Sequence, residues 1–190
     1  MNKNRFVALI PAREGSKGIK NKNLLKIGKF SLVELAIKNA CVSKKIDEIY
    51  LSSDSKRILK ITQKYPKVKS YLRNKKYASD SSSSKDVIGD FIKKFSFDKI
   101  ENISIVYIQP SSPFKNSYHL DKAIKIFEKQ KKNTLVSCYK ASENFKEKLL
   151  KSFILLKKKK IKPSFKQKNL HSNRQKLSDI YIPNGSIFIF

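Results

Sequence analysis

Residues 13 to 22 of this 190-residue chain gather Arg13, Gly15, Ser16, Lys17, Gly18, Lys20 and Lys22. Glycines let a backbone turn through positive φ and bring its N–H groups close to a ligand. Cations beside such a turn suit a polyphosphate, which needs amide donors and charge neutralisation together. The spacing fits neither GxxxxGK[ST] nor GxGxxG, so the segment is neither a Walker loop nor a dinucleotide fingerprint. A merely solvated basic turn is the competing reading. A second polar stretch, RNKKYASDSSSSK at 73 to 85, holds four consecutive serines. It reads either as a flexible linker or as a loop that contacts a base or sugar.

The elements that must position these groups are legible in the hydrophobic pattern. Phe6 to Ile10 is an apolar run without polar alternation, as a strand buried on both faces requires, and Pro11 marks its end. Ser31 with Glu34 three residues on reads as a capping box for a helix to Val42. A strand is expected over Ile46–Ser52, ending in the polar Ser53, Asp54 and Ser55, then a helix over Lys56–Lys64 that Pro66 breaks. A strand over Val68–Leu72 and a helix over Asp86–Phe95 follow. Ile103 to Gln109 is the most strand-like run, ended by Pro110, before a lysine-rich helix over 117–131 and a buried strand over Thr134–Tyr139. Strand and helix alternating in this way predict a mostly parallel sheet with helices on both faces. Ligands of such sheets bind at the carboxyl ends of the strands, where these polar loops fall. Beyond residue 140 the alternation stops. Phe153–Leu156 and Ile161 flank four lysines as a hairpin, residues 163–183 read as polar and irregular, and Gly185–Phe190 as a last strand.

Composition narrows the partners without choosing one. Hydrophobic content of 39% with 11% aromatic fits a folded chain rather than a disordered one. No apolar run approaches the roughly 20 residues of a membrane span. The N-terminus enters a strand directly, without a leader pattern, so the expected location is the cytoplasm. Cys41 and Cys138 read as small buried hydrophobes, and neither has metal-ligand spacing. The net charge of +28 favours an anionic partner. Its lysines are spread along the chain, and the aromatics sit mostly in apolar runs instead of interleaving with basic clusters. Nucleic acid is therefore disfavoured and kept as the alternative of another class.

Several segments in one order resemble the acylneuraminate cytidylyltransferases, the enzymes that make CMP-sialic acid and its relatives. IPAREGSKGIKNKN is similar to the family's PAR-x-x-SKG-x-x-x-KN loop, followed by LSSDS at 51–55, LRNKKYASD at 72–80, QPSSPFK at 109–115, and RQ with PNGSIFI between 174 and 189. The resemblance implies a three-layer, Rossmann-like α/β fold of the nucleotide-diphospho-sugar transferase kind. It implies one domain over residues 1–190, with a hairpin at about 140–183 that is exchanged in a homodimer. The implied reaction joins CMP from CTP to the anomeric hydroxyl of a nine-carbon 2-keto sugar acid and releases pyrophosphate with Mg²⁺, in support of lipopolysaccharide or capsule assembly. Carried over by position, Arg13, Lys22 and Arg174 are catalytic. Arg13, Ser16, Lys22, Asn23, Arg73, Ser82 and Ser84 bind the nucleotide, and Gln109, Arg174 and Asn184 bind the sugar.

Two departures stand out. Lys115 occupies a position where the family usually has Arg, which keeps the charge and loses the bidentate fork. Family members also continue past the NGxIYI strand into a strand and helix whose aspartate pair completes the Mg²⁺ site, whereas this sequence ends at Phe190. Asp54 is the candidate metal ligand that loop position suggests. A C-terminally truncated, catalytically impaired nucleotide-binding relative is accordingly the alternative expectation.

Overall fold

The computed structural model describes residues 4–16, 18–79, 82–130, 133–150, 153–155, 161–163 and 177–190. β1 (Arg5–Pro11) is the expected apolar strand, and Pro11 is its last paired residue, opposite Ser52. A two-residue strand pair follows, β2 (Lys26–Ile27) and β3 (Phe30–Ser31), turning at Gly28 with φ 61°. α1 (Leu32–Val42) starts in the reciprocal capping box expected of Ser31: the Glu34 N–H donates to Ser31 Oγ at 3.3 Å, and the Ser31 N–H to Glu34 Oε2 at 2.8 Å.

β4 (Glu48–Ser53) leads to α2 (Lys56–Leu59). The single helix expected over Lys56–Lys64 is instead one α turn that tightens into a 3-10 segment over Lys60–Lys64. Thr62 Oγ1 donates to the Leu59 carbonyl at 2.8 Å, and such side-chain bonding competes with the α ladder. Next come β5 (Val68–Leu72), α3 (Ser84–Lys94), β6 (Ile103–Ile108) and α4 (Ser117–Gln130). α3 begins two residues before the expected start, because Ser83 forms a capping box with Asp86 and draws Ser84 out of the loop. β7 (Leu135–Lys140), α5 (Glu143–Leu150), β8 (Phe153–Leu155), β9 (Ile161–Pro163) and β10 (Tyr181–Ile189) complete the described elements.

The sheet has six strands in the order β5-β4-β1-β6-β10-β7. β5, β4, β1 and β6 are parallel, and β10 returns antiparallel to β6. The chain leaves β1 toward β4 and β5, then crosses back to place β6 on the other side of β1. That reversal opens a crevice at the carboxyl ends of β1 and β6.

Strand side chains alternate between two cores. Phe6, Ala8 and Ile10 of β1 face Val33, Ala36 and Ile37 of α1 and Leu120 and Ile124 of α4. Val7 and Leu9 face Val87, Ile88 and Phe91 of α3. Helices thus cover both faces in three layers. On the α3 side Tyr50, Tyr71, Phe91, Phe95 and Phe97 form an aromatic cluster, with Tyr50 and Phe95 ring centres 4.7 Å apart. Each fully buried side chain of this size contributes about 1.5–3 kcal/mol. Phe91→Ala would open a void at the centre of this cluster, since Phe91 is fully buried and packs against the other four rings.

The strand expected to be buried at 134–139 is not. β7 is the sheet's outer strand, where Val136 and Tyr139 stand exposed. Cys138 on it is exposed and Cys41, in the last turn of α1, is half-buried, so neither cysteine is the fully buried hydrophobe expected. An outer strand has one neighbour and less cover than β1 or β6. The chain divides into two compact units, Met1–Ser137 with Gly185–Phe190, and Cys138–Asn184. Within the second, β8 and β9 pair antiparallel as the expected hairpin, and buried Lys146 binds Glu143 Oε2 at 2.9 Å and donates to the Leu177 carbonyl at 3.2 Å. The lysine turn at 157–160 lies outside the described residues. No helix among the described residues is long and apolar enough to cross a membrane.

Candidate functional site

A cavity of about 190 Å³ opens at the carboxyl ends of β1, β5 and β6. Of the residues singled out from the sequence, it brings together Arg13, Ser16, Lys22, Asn23, Arg73, Ser82, Ser84 and Gln109. They come from the loop after β1, the 3-10 turn at Lys22–Leu24, the loop after β5, the first residue of α3 and the end of β6.

Hydrogen bonds between these loops and the strand ends set their places. The Ala12 N–H donates to the Ser52 carbonyl and the Arg73 N–H to the Ser53 carbonyl, both at 2.8 Å, so each loop departs as one more rung of the parallel ladder. Arg13 is gripped on both sides. The Asn23 amide donates to its carbonyl at 2.8 Å, and the following N–H, of Glu14, donates to Asp54 Oδ1 at 3.0 Å. Asn23 is buried, so its first task is to hold this loop.

Asp54, the suggested metal ligand, does not line this cavity. It is a tether between the end of β4 and the loop after β1, and its side chain borders a separate depression beside α3. Among the described residues no group of three His, Cys, Asp or Glu side chains could hold a metal ion.

Arg73 is the electrostatic centre. Only 4% of it is exposed, and among the described residues its Nε has no hydrogen-bond partner. Burial lowers its pKa, and the like charge of Arg13 acts the same way against the supporting charge of Asp54. A buried guanidinium with an unused donor is costly unless an acceptor arrives. Beside it Tyr107 closes the floor of the cavity. Burial raises the Tyr107 phenol pKa, while a hydrogen bond to Ser84 and the charge of Arg73 pull it partly back. Ser84 is therefore engaged with Tyr107 from the start of α3. Ser82 donates to the Lys76 carbonyl at 3.0 Å and lies 2.8 Å from the Ser79 hydroxyl, which folds the serine loop onto its own backbone.

Tyr77, Ser79, Tyr107, Pro110 and Ser111 also line the cavity and were not singled out from sequence. Tyr77 and Ser79 lie in the loop already suspected, and Tyr107 could have been found from β6 alternation, one position before the strand's end. Gly185 was missed as well. It has φ +68°, a conformation strained for other residues, and a Cβ there would lie 3.2 Å from Gln109 Oε1 and crowd the end of that side chain. Two named residues remain. Arg174 lies outside the described residues, and Asn184 is an exposed residue of the second unit.

Among its described residues the wall thus carries Arg13, Lys22 and Arg73, hydroxyls and amides, and no carboxylate. Such a lining can hold a compact polyanion and hydrogen-bond an attached polar ring. Comparison with known proteins agrees. A family profile described as "Cytidylyltransferase" matches residues 7–184. The chain is 28% identical over 186 residues to post-translational flagellin modification protein B of Campylobacter coli, covering 97% of this chain and 77% of that protein. It is 29% identical over 187 residues to an N-acylneuraminate cytidylyltransferase of Streptococcus agalactiae, covering 96% of this chain and 42% of that enzyme. The chain therefore spans under half the length of the streptococcal protein. A solved CMP:2-keto-3-deoxy-manno-octonic acid synthetase superposes with a TM-score of 0.69 over 98% of this chain and 73% of its own; at 17% identity this likeness speaks for the fold alone. With the profile running from the middle of β1 into β10 across every loop that builds the cavity, the chain belongs to the cytidylyltransferase family.

Proposed function

We propose that this chain transfers CMP from CTP to the anomeric hydroxyl of a nine-carbon 2-keto sugar acid of the sialic acid type. The observation that carries the reading is one cavity in which Arg13, Lys22 and a buried Arg73, its Nε unpartnered among the described residues, converge with Gln109 at the sheet's switch point. The anomeric oxygen bonds to the α-phosphorus as the bond from that phosphorus to the pyrophosphate oxygen breaks, and the hydroxyl proton is released. Catalysis of this type is mostly positioning and charge stabilisation. Arg13 and Lys22, with Ser16 and the loop amides, meet the negative charge that gathers on the departing pyrophosphate. Asn23 contacts the nucleotide, and Arg73 with Ser82 and Ser84 reads cytosine and ribose. Gln109 faces the sugar acid, with Arg174 and Asn184 as its further contacts by resemblance.

Mg²⁺ belongs to the proposal as a companion of the triphosphate, where it would neutralise phosphate oxygens. The described wall offers it no carboxylate, so the charge stabilisation assigned above is that of the chain's own cations. The reading also includes a cytoplasmic homodimer exchanging the hairpin unit, supported by the separate compactness of Cys138–Asn184. Light scattering across protein concentration tests that part.

Purified protein supplied with CTP, Mg²⁺ and a panel of sialic, legionaminic and pseudaminic acids should release pyrophosphate with at least one of them. CTP binding without turnover would favour the catalytically impaired relative. Salt-steep binding to DNA or RNA that CTP fails to displace would overturn the proposal.

A further inference from the structure

Lys115 follows the loop after β6, carries a cation, and yet is 7% exposed and outside the cavity lining. Its ammonium donates to the Gln109 carbonyl and, at 2.8 Å, to the Ser112 carbonyl. Its own carbonyl accepts from Asn39 Nδ2 of α1 at 2.7 Å. Burial lowers its pKa to about 8, as for a cation that has exchanged water for carbonyl oxygens. The carbonyls it holds belong to the segment that contributes Gln109, Pro110 and Ser111 to the cavity wall. An apolar side chain in its place would take the ammonium donor from both oxygens, leaving the Gln109 carbonyl only the long 3.3 Å bond from the Ser112 N–H.

We propose that Lys115 is a positioning residue: from beneath the loop it pins residues 109–112 to α1, and so sets where Gln109 and Ser111 stand on the acceptor side of the cavity. Three restraints then define Gln109. Lys115 fixes its backbone carbonyl, Ser111 Oγ lies 3.5 Å from Oε1, and Gly185 leaves room on the far side. The loops bearing Arg13 and Arg73 hang on β4 through Ser52, Ser53 and Asp54, independently of Lys115. Loss of Lys115 should therefore disturb one side of the site only. The kinetic half of this inference rests on the proposed transfer reaction, whereas the structural half does not.

The test compares the unmodified chain with Lys115→Met, which keeps bulk and removes the donors, and Lys115→Arg, which keeps them. In hydrogen–deuterium exchange without ligand, residues 109–116 of Lys115→Met should exchange about tenfold faster, the factor a hydrogen bond's worth of free energy carries. Residues 12–24 and 73–85 should keep their rates, and Lys115→Arg should resemble the parent. Unchanged exchange at 109–116, or acceleration spread over all three segments, overturns the proposal. Kinetically, Lys115→Met should raise KM for the sugar acid about tenfold with CTP affinity within twofold, and Lys115→Arg should rescue it. An equal loss of CTP affinity, or a fall in kcat alone, also overturns it. Should the Met variant fail to fold, Lys115→Gln in the same exchange experiment decides. Should the unmodified chain turn over no acceptor, the transfer reading fails while exchange still judges Lys115.

Discussion

Arg73 stands under two opposing demands: its charge is buried beside another arginine, and its Nε meets no acceptor among the described residues. Removing it should spare or raise stability while harming binding, since an incompletely paired buried charge costs the fold. For Arg73→Met we expect an unchanged or higher melting temperature. CTP affinity by calorimetry should fall about 10- to 100-fold, the range of hydrogen bonds to charged groups. Arg73→Lys should recover part of the loss, since it restores charge without the fork. Gly185 makes the complementary case. Alanine there meets both the φ of +68° and the 3.2 Å approach to Gln109. The expected cost is about 1–2 kcal/mol, or a few degrees of melting temperature in a chain of this size. KM for the proposed sugar acid should rise, and CTP affinity should hold.

At the scale of elements, parallel strands need their amino ends secured as much as their carboxyl ends shaped. Glu48 at the start of β4 accepts from Lys69 of β5 at 2.8 Å and also binds Arg5 of β1, clasping three neighbouring strands. The Lys69 hydrogen bond, with help from Tyr50 and Arg5, lowers the Glu48 pKa below its ordinary value of 4.5 against the opposing effect of burial. Its stabilisation is accordingly complete above about pH 4.5 and lost as pH falls through the lowered value. Glu48→Gln should melt below the parent at pH 7, and the gap should close as pH falls below 4.5. A gap that stays constant down to pH 3 would count against this clasp. The variant leaves the cavity untouched, so CTP affinity at pH 7 should be that of the parent.

For the whole molecule, the net charge is +28, and the cavity carries three cations among its described lining residues. Long-range attraction of a polyanion is screened as the Debye length shrinks from about 10 Å at 0.1 M salt to about 3 Å at 1 M. CTP affinity should therefore weaken roughly severalfold between 0.05 and 0.5 M NaCl, where contacts inside the cavity are screened less than the surface field. Titration of CTP at a series of salt concentrations checks this, and a flat profile would assign affinity to the buried contacts alone.

Periodicity and local chemistry were readable one residue at a time. The apolar run of β1, the capping box at Ser31 and the strand–helix alternation depend on neighbours within a turn or two, so the parallel sheet and its polar carboxyl ends were legible in sequence. So was the basic loop from Arg13 to Lys22, because its residue types are local facts, whereas Arg73 and Gln109 were marked by the family resemblance. What distant segments do to one another was not legible. Asp54 became a tether because β4 lies beside β1, Tyr107 a floor because α3 packs on β6, and Lys115 a pin because α1 lies below its loop. β7 looked buried by composition, yet its exposure was set by standing at the outside of the sheet. Residue type fixes which bonds a side chain can make, while only the tertiary structure decides which partners come within reach and whether water is excluded around them.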